Sequence, residues 1–279
     1  MSKNYQSALV CSKGCVRGNN EDNFYFLGDR MQLREMDAGA HIVYSGSKEK
    51  QAYAIFDGMG GEENGEQAAS IAAETFAEME DNFFGQEAKN EVNSFARKAS
   101  AKILDYARKH QSTGQGTTFA GLIIFGQQAL VANVGDSRVY LLRDQHLELV
   151  TKDHSYVYEL YLSGKLTEEQ ARKHPKNNVI THFLGTSEEK IGSDFVFIDQ
   201  FKLYHQDRFM LCSDGVSDLL SNRQIEELLV NNKKPDDAAT ALVQTALELS
   251  GKDNTTCIVV DIFNPKLKSG KSKKTSNSR

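Results

Sequence analysis

The sequence predicts an α+β fold, a central antiparallel β-sandwich flanked by helices on both faces. Apolar runs of strand length gather in blocks instead of alternating one for one with helices. Amphipathic stretches of helical period bound those blocks, and glycine or Asp-Gly steps punctuate the runs. Along the chain, Glu21-Asp22 opens a short run at 24–27, and 53–56 is an apolar run that ends at Asp57-Gly58. Residues 62–79 have helical spacing, with Ala69, Ala72, Ala73, Phe76 and Ala77 on one side. Residues 91–106 repeat it through Val92, Phe95, Ala96, Ala99, Ile103 and Leu104. Three strand-like runs follow at 117–125, 129–134 and 138–142, with Gly126 and Gly135 between them. Two further strands are expected at 194–203 and 208–213, and a short helix at 225–230. Pro235 opens a last helix that Gly251 closes, and 255–263 is the final strand.

A chain of 279 residues with 39% hydrophobic content can bury one substantial core. One domain over 1–265 with a disordered basic tail at 266–279 is expected. The tail carries Lys266, Lys268, Lys271, Lys273, Lys274 and Arg279 with no acid, so a net charge of −5 leaves −11 on the rest. So acidic a body argues against nucleic acid as a partner and suits cations where the acids converge. Four scattered cysteines make no disulfide framework, and Cys11 and Cys15 lack the pairing and nearby histidines of a zinc site. Cys212 lies in a wholly apolar run and reads as packing. No apolar run approaches the roughly 20 residues that span a bilayer, and no signal peptide is visible, so a cytoplasmic location is expected.

The aspartates carry the functional signal. Asp57, Asp136, Asp214 and Asp253 each fall at the edge of a strand-like run beside glycine or a small polar residue, as do Glu21 and Asp22. Taken singly, Asp-Gly is a turn dipeptide. Asp57-Gly58 and Asp214-Gly215, however, are followed by helical patterns where a hairpin would need a second strand. Several isolated carboxylates with few histidines suit hard cations such as Mg²⁺ or Mn²⁺. His41, His110, His146 and His205 read as bystanders.

Arg17-Gly-Asn-Asn20-Glu21-Asp22, Asp57-Gly58-Met59-Gly60-Gly61, Gly116-Thr117-Thr118 and Gly135-Asp136-Ser137-Arg138 occur in this order. They are followed by Asp153-His154-Ser155, Asn178-Val179-Ile180-Thr181, Ser213-Asp214-Gly215 and Asp253-Asn254. This ordered set, over about residues 6–263, resembles the bacterial metal-dependent serine/threonine protein phosphatases of type 2C. The resemblance implies a sandwich with a metal centre at one end, holding two and possibly three Mn²⁺ or Mg²⁺ ions. Asp57 would bridge two of them and Gly58 would offer its carbonyl. Asp214 and Asp253 would hold one ion, Glu21 and Asp22 the other, and Asp136 with Asp218 a looser third. Arg17 would take the phosphate through its planar fork.

The implied reaction is hydrolysis of phosphoserine or phosphothreonine in proteins by hydroxide held between two cations. Expected partners are phosphorylated proteins, among them a cognate Ser/Thr kinase, and the expected state is a monomer. Met59 stands where many eukaryotic relatives carry a proposed acid histidine, which leaves that role to a metal-bound water. Residues 28–51 are longer than expected of bacterial relatives, with 40–44 as an added strand. Residues 156–185 resemble the family's flap, made aromatic here by Tyr156, Tyr158 and Tyr161. Two other readings are a phosphatase dedicated to one signalling partner and a non-catalytic binding module on the same fold.

Overall fold

The computed structural model describes residues 4–60, 64–167, 170–171, 173–264 and 267. The strands are β1 Tyr5–Ser12, β2 Asp22–Phe26, β3 Ala40–Gly46, β4 Gln51–Met59, β5 Gly116–Thr117 and β6 Phe119–Phe125. They continue with β7 Gln128–Val134, β8 Arg138–Arg143, β9 His146–Leu149, β10 Phe197–Lys202, β11 Arg208–Cys212 and β12 Thr255–Ile262. The helices are α1 Gly65–Met79, α2 Ala88–His110, α3 Tyr156–Leu162, α4 Asp214–Ser217, α5 Asn222–Asn231 and α6 Pro235–Leu249.

Two antiparallel sheets face each other. One runs β3-β1-β12-β11-β8-β9 and the other β10-β7-β6-β4-β2, with β5 extending the pairing along β4. The period of two along each central strand divides its side chains between two cores. On β12, Ile258, Val260 and Ile262 enter the core between the sheets. Cys257 and Val259 face the other way, under α5 and α6. β11 does the same, with Phe209 and Leu211 inward and Met210 and Cys212 toward the helices. Cys212 is therefore packing, its thiol pushed up to about 12 by burial. On the other sheet, α1 and α2 seat Phe76 and Phe95 against Phe119 and Phe56, with the Phe95 and Phe119 rings 4.9 Å apart. These edge-on and tilted aromatic contacts add to what burial alone contributes.

The expected elements form, with shifted ends. The strand expected over 117–125 divides at Thr118, because Gly116 and Thr117 pair with Met59 and Gly58. That pairing also changes the place of Asp57, which lies within β4 and not beyond its end. The added strand forms as β3 and pairs with β1, Val43 opposite Ala8. β1 and β9 had no clear pattern of their own. β1 mixes Gln6 and Ser7 into its run, and Ser7 is buried because the Tyr53 hydroxyl donates to it at 3.1 Å. The flap contains α3, capped by the Ser155 hydroxyl accepting from Tyr158 N–H. Bridges from Ser155 to Ile180 and from Thr117 to Leu184 pin its two ends to the body. Within the basic tail, Leu267 is buried against the inter-sheet core, and the rest of 266–279 lies outside the described residues.

Candidate active site

The acids meet at one end of the sandwich because strand register puts them there. β2 and β4 pair so that Asp22 lies directly opposite Asp57. Asp57 is held by its backbone. Its N–H donates to the Thr118 hydroxyl at 3.0 Å, and its carbonyl accepts from Thr118 N–H and the Thr117 hydroxyl, both at 2.9 Å. The backbone is thus satisfied without the carboxylate, which stays free for another task. Thr118 also bonds the Ser137 hydroxyl at 2.7 Å, tying the β4 site to the β7–β8 turn that carries Asp136. Gly135 makes that turn at φ +99°, where a Cβ would sit 2.8 Å from Thr118 Cγ2. His154 supports the turn, its Nδ1 accepting from Gly135 N–H at 3.2 Å. Burial, then the neighbouring His182, push His154 down to about 4, which keeps the ring neutral and able to accept.

Asp22 receives two hydroxyls on Oδ2, from Ser213 at 2.8 Å and Thr256 at 2.6 Å. Its Oδ1 is buried with no partner. Asp214 begins α4 directly after Ser213, and Asn254 joins the loops. The Asn254 side chain accepts from Glu21 N–H at 2.8 Å and donates to the carbonyls of Lys13 and Asn19 at 2.8 and 3.0 Å. The Glu21 carboxylate takes the backbone N–H of Gly65 at the start of α1. Arg17 reaches Asp253 with two 2.9 Å contacts, Nε to Oδ1 and Nη2 to Oδ2.

Like charge is concentrated here. Asp57 is raised well above the ordinary carboxylate range by burial, then by Asp214, Asp22, Asp136 and Asp253. Asp214 is raised by burial, then by Asp136, Asp218, Asp253 and Asp22. Burial raises Asp22 to about 7 against the two hydroxyls that lower it. Burial, then Asp153 and Asp218, raise Asp136 to about 7. Asp22 is buried and Asp57, Asp136 and Asp214 are half-buried, and raised carboxylates gathered this closely need a cation to stay ionised together at neutral pH. The unpartnered Asp22 Oδ1 fits one. Among the described residues, no three His, Cys, Asp or Glu side chains form a ready-made cage. An all-oxygen set with gaps suits Mg²⁺ or Mn²⁺, which keep several of their waters.

Every residue named from the sequence, Arg17, Glu21, Asp22, Asp57, Gly58, Asp136, Asp214, Asp218 and Asp253, is at this end. Arg17, expected to take the phosphate, pairs with Asp253 in this structure. Asp218 donates its N–H to Asp214 O at 2.8 Å, and its Oδ2 accepts from the Asn177 side-chain amide at 3.4 Å. None of the four histidines read as bystanders hydrogen-bonds these acids; His41, for one, pairs with Asp236 on α6.

A protein phosphatase 2C family model matches residues 21–159. The chain is 30% identical over 241 residues to a serine/threonine phosphatase stp of Listeria monocytogenes, covering 85% of this chain and 94% of that protein. The chain belongs to the protein phosphatase 2C family. The fold agrees with the crystal structure of the Mycobacterium tuberculosis phosphatase PstP/Ppp, at TM-score 0.77 and 29% identity over 93% of this chain and 99% of that one. A PstP catalytic domain in complex with two manganese ions superposes at TM-score 0.75, with 28% identity over 93% and 99% of the two chains.

In this phosphatase 2C chain, sequence reasoning had passed over Thr256 and the side-chain role of Asn254. Asn254 is one residue and Thr256 three residues after Asp253, so hydroxyl and amide groups trailing a candidate ligand were the available signal. Their partners Asp22 and Glu21 lie 234 and 233 residues away, a distance no local pattern spans. Gly58 is explained by packing. A Cβ there would lie 2.2 Å from Gly65 O and 2.7 Å from Glu21 O, all backbone. Gly58→Ala is accordingly expected to destabilise the protein by about 2–3 kcal/mol and to lower turnover, read by urea denaturation beside a phosphatase assay. Unchanged stability would mean that α1 has room to move away.

Proposed function

We propose that this chain hydrolyses phosphoserine and phosphothreonine in proteins, with water attacking phosphorus at the carboxylate cluster. The observation that carries the reading is the cluster itself: half-buried Asp57 has Asp214, Asp22, Asp136 and Asp253 around it, each raising its pKa. Asp57, Gly58, Asp214, Asp253, Glu21 and Asp22 would hold two Mn²⁺ or Mg²⁺ ions, and Asp136 with Asp218 a third. When bound, such ions supply Lewis acidity, polarising phosphoryl oxygens and lowering the pKa of water toward neutrality.

The chain's own residues do the rest. The hydroxyls of Ser213 and Thr256 hold Asp22 in place and favour its charged form. Arg17 carries a permanent planar cation at the rim, and exchanging one Asp253 contact for phosphate would bring its fork onto the substrate. Met59 has no proton to give, so no side-chain acid acts from that position. Phosphorylated proteins are the substrates, a cognate Ser/Thr kinase among them, and the working unit is a cytoplasmic monomer. Among the described residues no helix is long and apolar enough to cross a membrane.

Manganese-dependent release of phosphate from a phosphothreonine peptide and from p-nitrophenyl phosphate, abolished by EDTA, tests the reading. No turnover with either metal would overturn it. Asp136→Ala is expected to be milder than changes at Asp57, lowering turnover about tenfold while calorimetry still counts two bound ions. Loss of all metal from that variant would remove Asp136 from the outer position.

A further inference from the structure

Arg17 lies on the loop between β1 and β2, and the backbone of that loop is held on both sides of it. The Asn254 side-chain amide donates to the carbonyls of Lys13 and Asn19 at 2.8 and 3.0 Å, and Cys15 N–H donates to Gly251 O at 2.7 Å. At Gly14 a Cβ would sit 2.3 Å from Asp253 O, so the loop packs directly on the segment that carries Asp253. The Arg17 side chain is looser. It is 48% exposed, and its hydrogen-bond partner among the described residues is Asp253. Nε meets Oδ1 and Nη2 meets Oδ2, while Oδ1 also accepts the N–H of Asn254 at 2.9 Å. The guanidinium fork thus covers both oxygens of a carboxylate that would hold a cation. The other acids whose charge reaches Arg17 are Glu21 and Asp214, and both belong to the same proposed ligand set.

From this arrangement we infer that Arg17 and a divalent cation compete for Asp253, so that cation binding releases the guanidinium to the substrate phosphate. The inference rests on the proposed phosphatase function and assigns its order, cation first and phosphate second. An ion pair this exposed is weak and readily exchanged. A divalent ion brings twice the charge of a guanidinium to the same oxygens, and it repels the guanidinium as well. Once ions satisfy Glu21, Asp214 and Asp253, none of these carboxylates is left for Arg17 to return to, and the pinned loop keeps it at the rim. A phosphate is then the matching anion, because its oxygens accept the same planar fork that the carboxylate had held. Without the ions the reverse holds. Phosphate meets a cluster of negative charge whose rim cation is already neutralised. Asp253 is therefore a positioning residue for Arg17 as well as a proposed ligand. The coupling acts in both directions, since phosphate on Arg17 leaves Asp253 open to the ion.

The first test follows Arg17 itself. In the full chain with isotope-labelled arginine, the Nε–H signal that disappears in Arg17→Lys identifies the group. Adding Mg²⁺ to the EDTA-treated protein, with no phosphate present, is expected to speed exchange of this proton with water several-fold. Inorganic phosphate added next should slow it again. Exchange that ignores Mg²⁺ would overturn the competition. The second test needs no divalent ion. In EDTA, Asp253→Asn is expected to bind a labelled phosphothreonine peptide several-fold more tightly than the unaltered chain by fluorescence anisotropy. Arg17→Ala in that background should erase the gain. Asp214→Asn removes the same charge without touching the pair, so its gain should be smaller. No gain from Asp253→Asn, equal gains at the two positions, or a gain that survives Arg17→Ala would overturn the inference, because Asp253 would then act by repulsion alone. An absence of turnover on phosphopeptide and p-nitrophenyl phosphate with manganese would strike the phosphatase reading instead, and the proton-exchange measurement would still decide the competition.

Discussion

Asp57→Asn is expected to lower manganese-dependent turnover on a phosphothreonine peptide by at least about a thousandfold, roughly 4 kcal/mol of barrier, and to raise the melting temperature of the metal-free protein. The two effects have one cause. Asp57 is half-buried opposite Asp22 and within the field of Asp214, Asp136 and Asp253, so its charge is costly until a cation arrives. Asparagine has nearly the same shape, removes that charge and removes a proposed cation ligand. The backbone contacts to Thr117 and Thr118 do not involve the side chain and survive. Asp214→Asn should behave alike, since burial and the same neighbours raise it. Activity assays beside calorimetry in EDTA would check both. A variant that lost activity and also melted lower without metal would be misfolded at the site, and one that kept its turnover would remove Asp57 from the chemistry.

The sequence carried the layers and the acids better than it carried their connections. Runs with a mostly apolar signature, such as β6, β11 and β12, were legible because both of their faces are buried and, apart from Arg208 and Asp261, their residues are apolar or small. β1 was not, since Ser7 is buried through a hydroxyl contact that only tertiary structure supplies. β9, four residues with His146 and Glu148 exposed, is too short and polar to announce itself. At the site, glycine and aspartate steps marked the ligand candidates, and the family motifs marked their order. What stayed hidden was long-range: Thr256 and Ser213 on Asp22, Asn254 on Glu21, and Arg17 on Asp253. Such contacts depend on where strands pair, and pairing between β1, β11 and β12 is set by the whole sheet.

Freed of divalent cations, the protein is expected to lose stability as pH rises from about 5 to about 8. Asp22 and Asp136 titrate at about 7 in the fold, against an ordinary value of 3.8, and Asp57 and Asp214 are raised as well. Between the two values the folded protein holds protons that the unfolded chain has released, so raising the pH favours unfolding. At about 1.4 kcal/mol for each pH unit, the interval from pH 5 to about 7 makes Asp22 alone account for roughly 3 kcal/mol of that loss. His154 works the other way. Its folded value of about 4 lies below the ordinary 6.5, so in that interval the unfolded chain binds the extra proton and stability rises with pH. Below 6.5 one imidazole opposes four carboxylates. Above it the imidazole contributes nothing further, while Asp22 and Asp136 stop contributing past about 7, so any fall beyond that comes from Asp57 and Asp214. Melting temperatures in EDTA at pH 5, 6.5 and 8 would trace this, and Asp57→Asn should flatten the slope. Excess manganese should flatten or reverse it, because a bound cation favours the ionised carboxylates and so rewards the high-pH form of the fold. A melting temperature that held constant across the range without metal would mean that water already solvates these carboxylates, and the case for a cation-demanding cluster would fall with it.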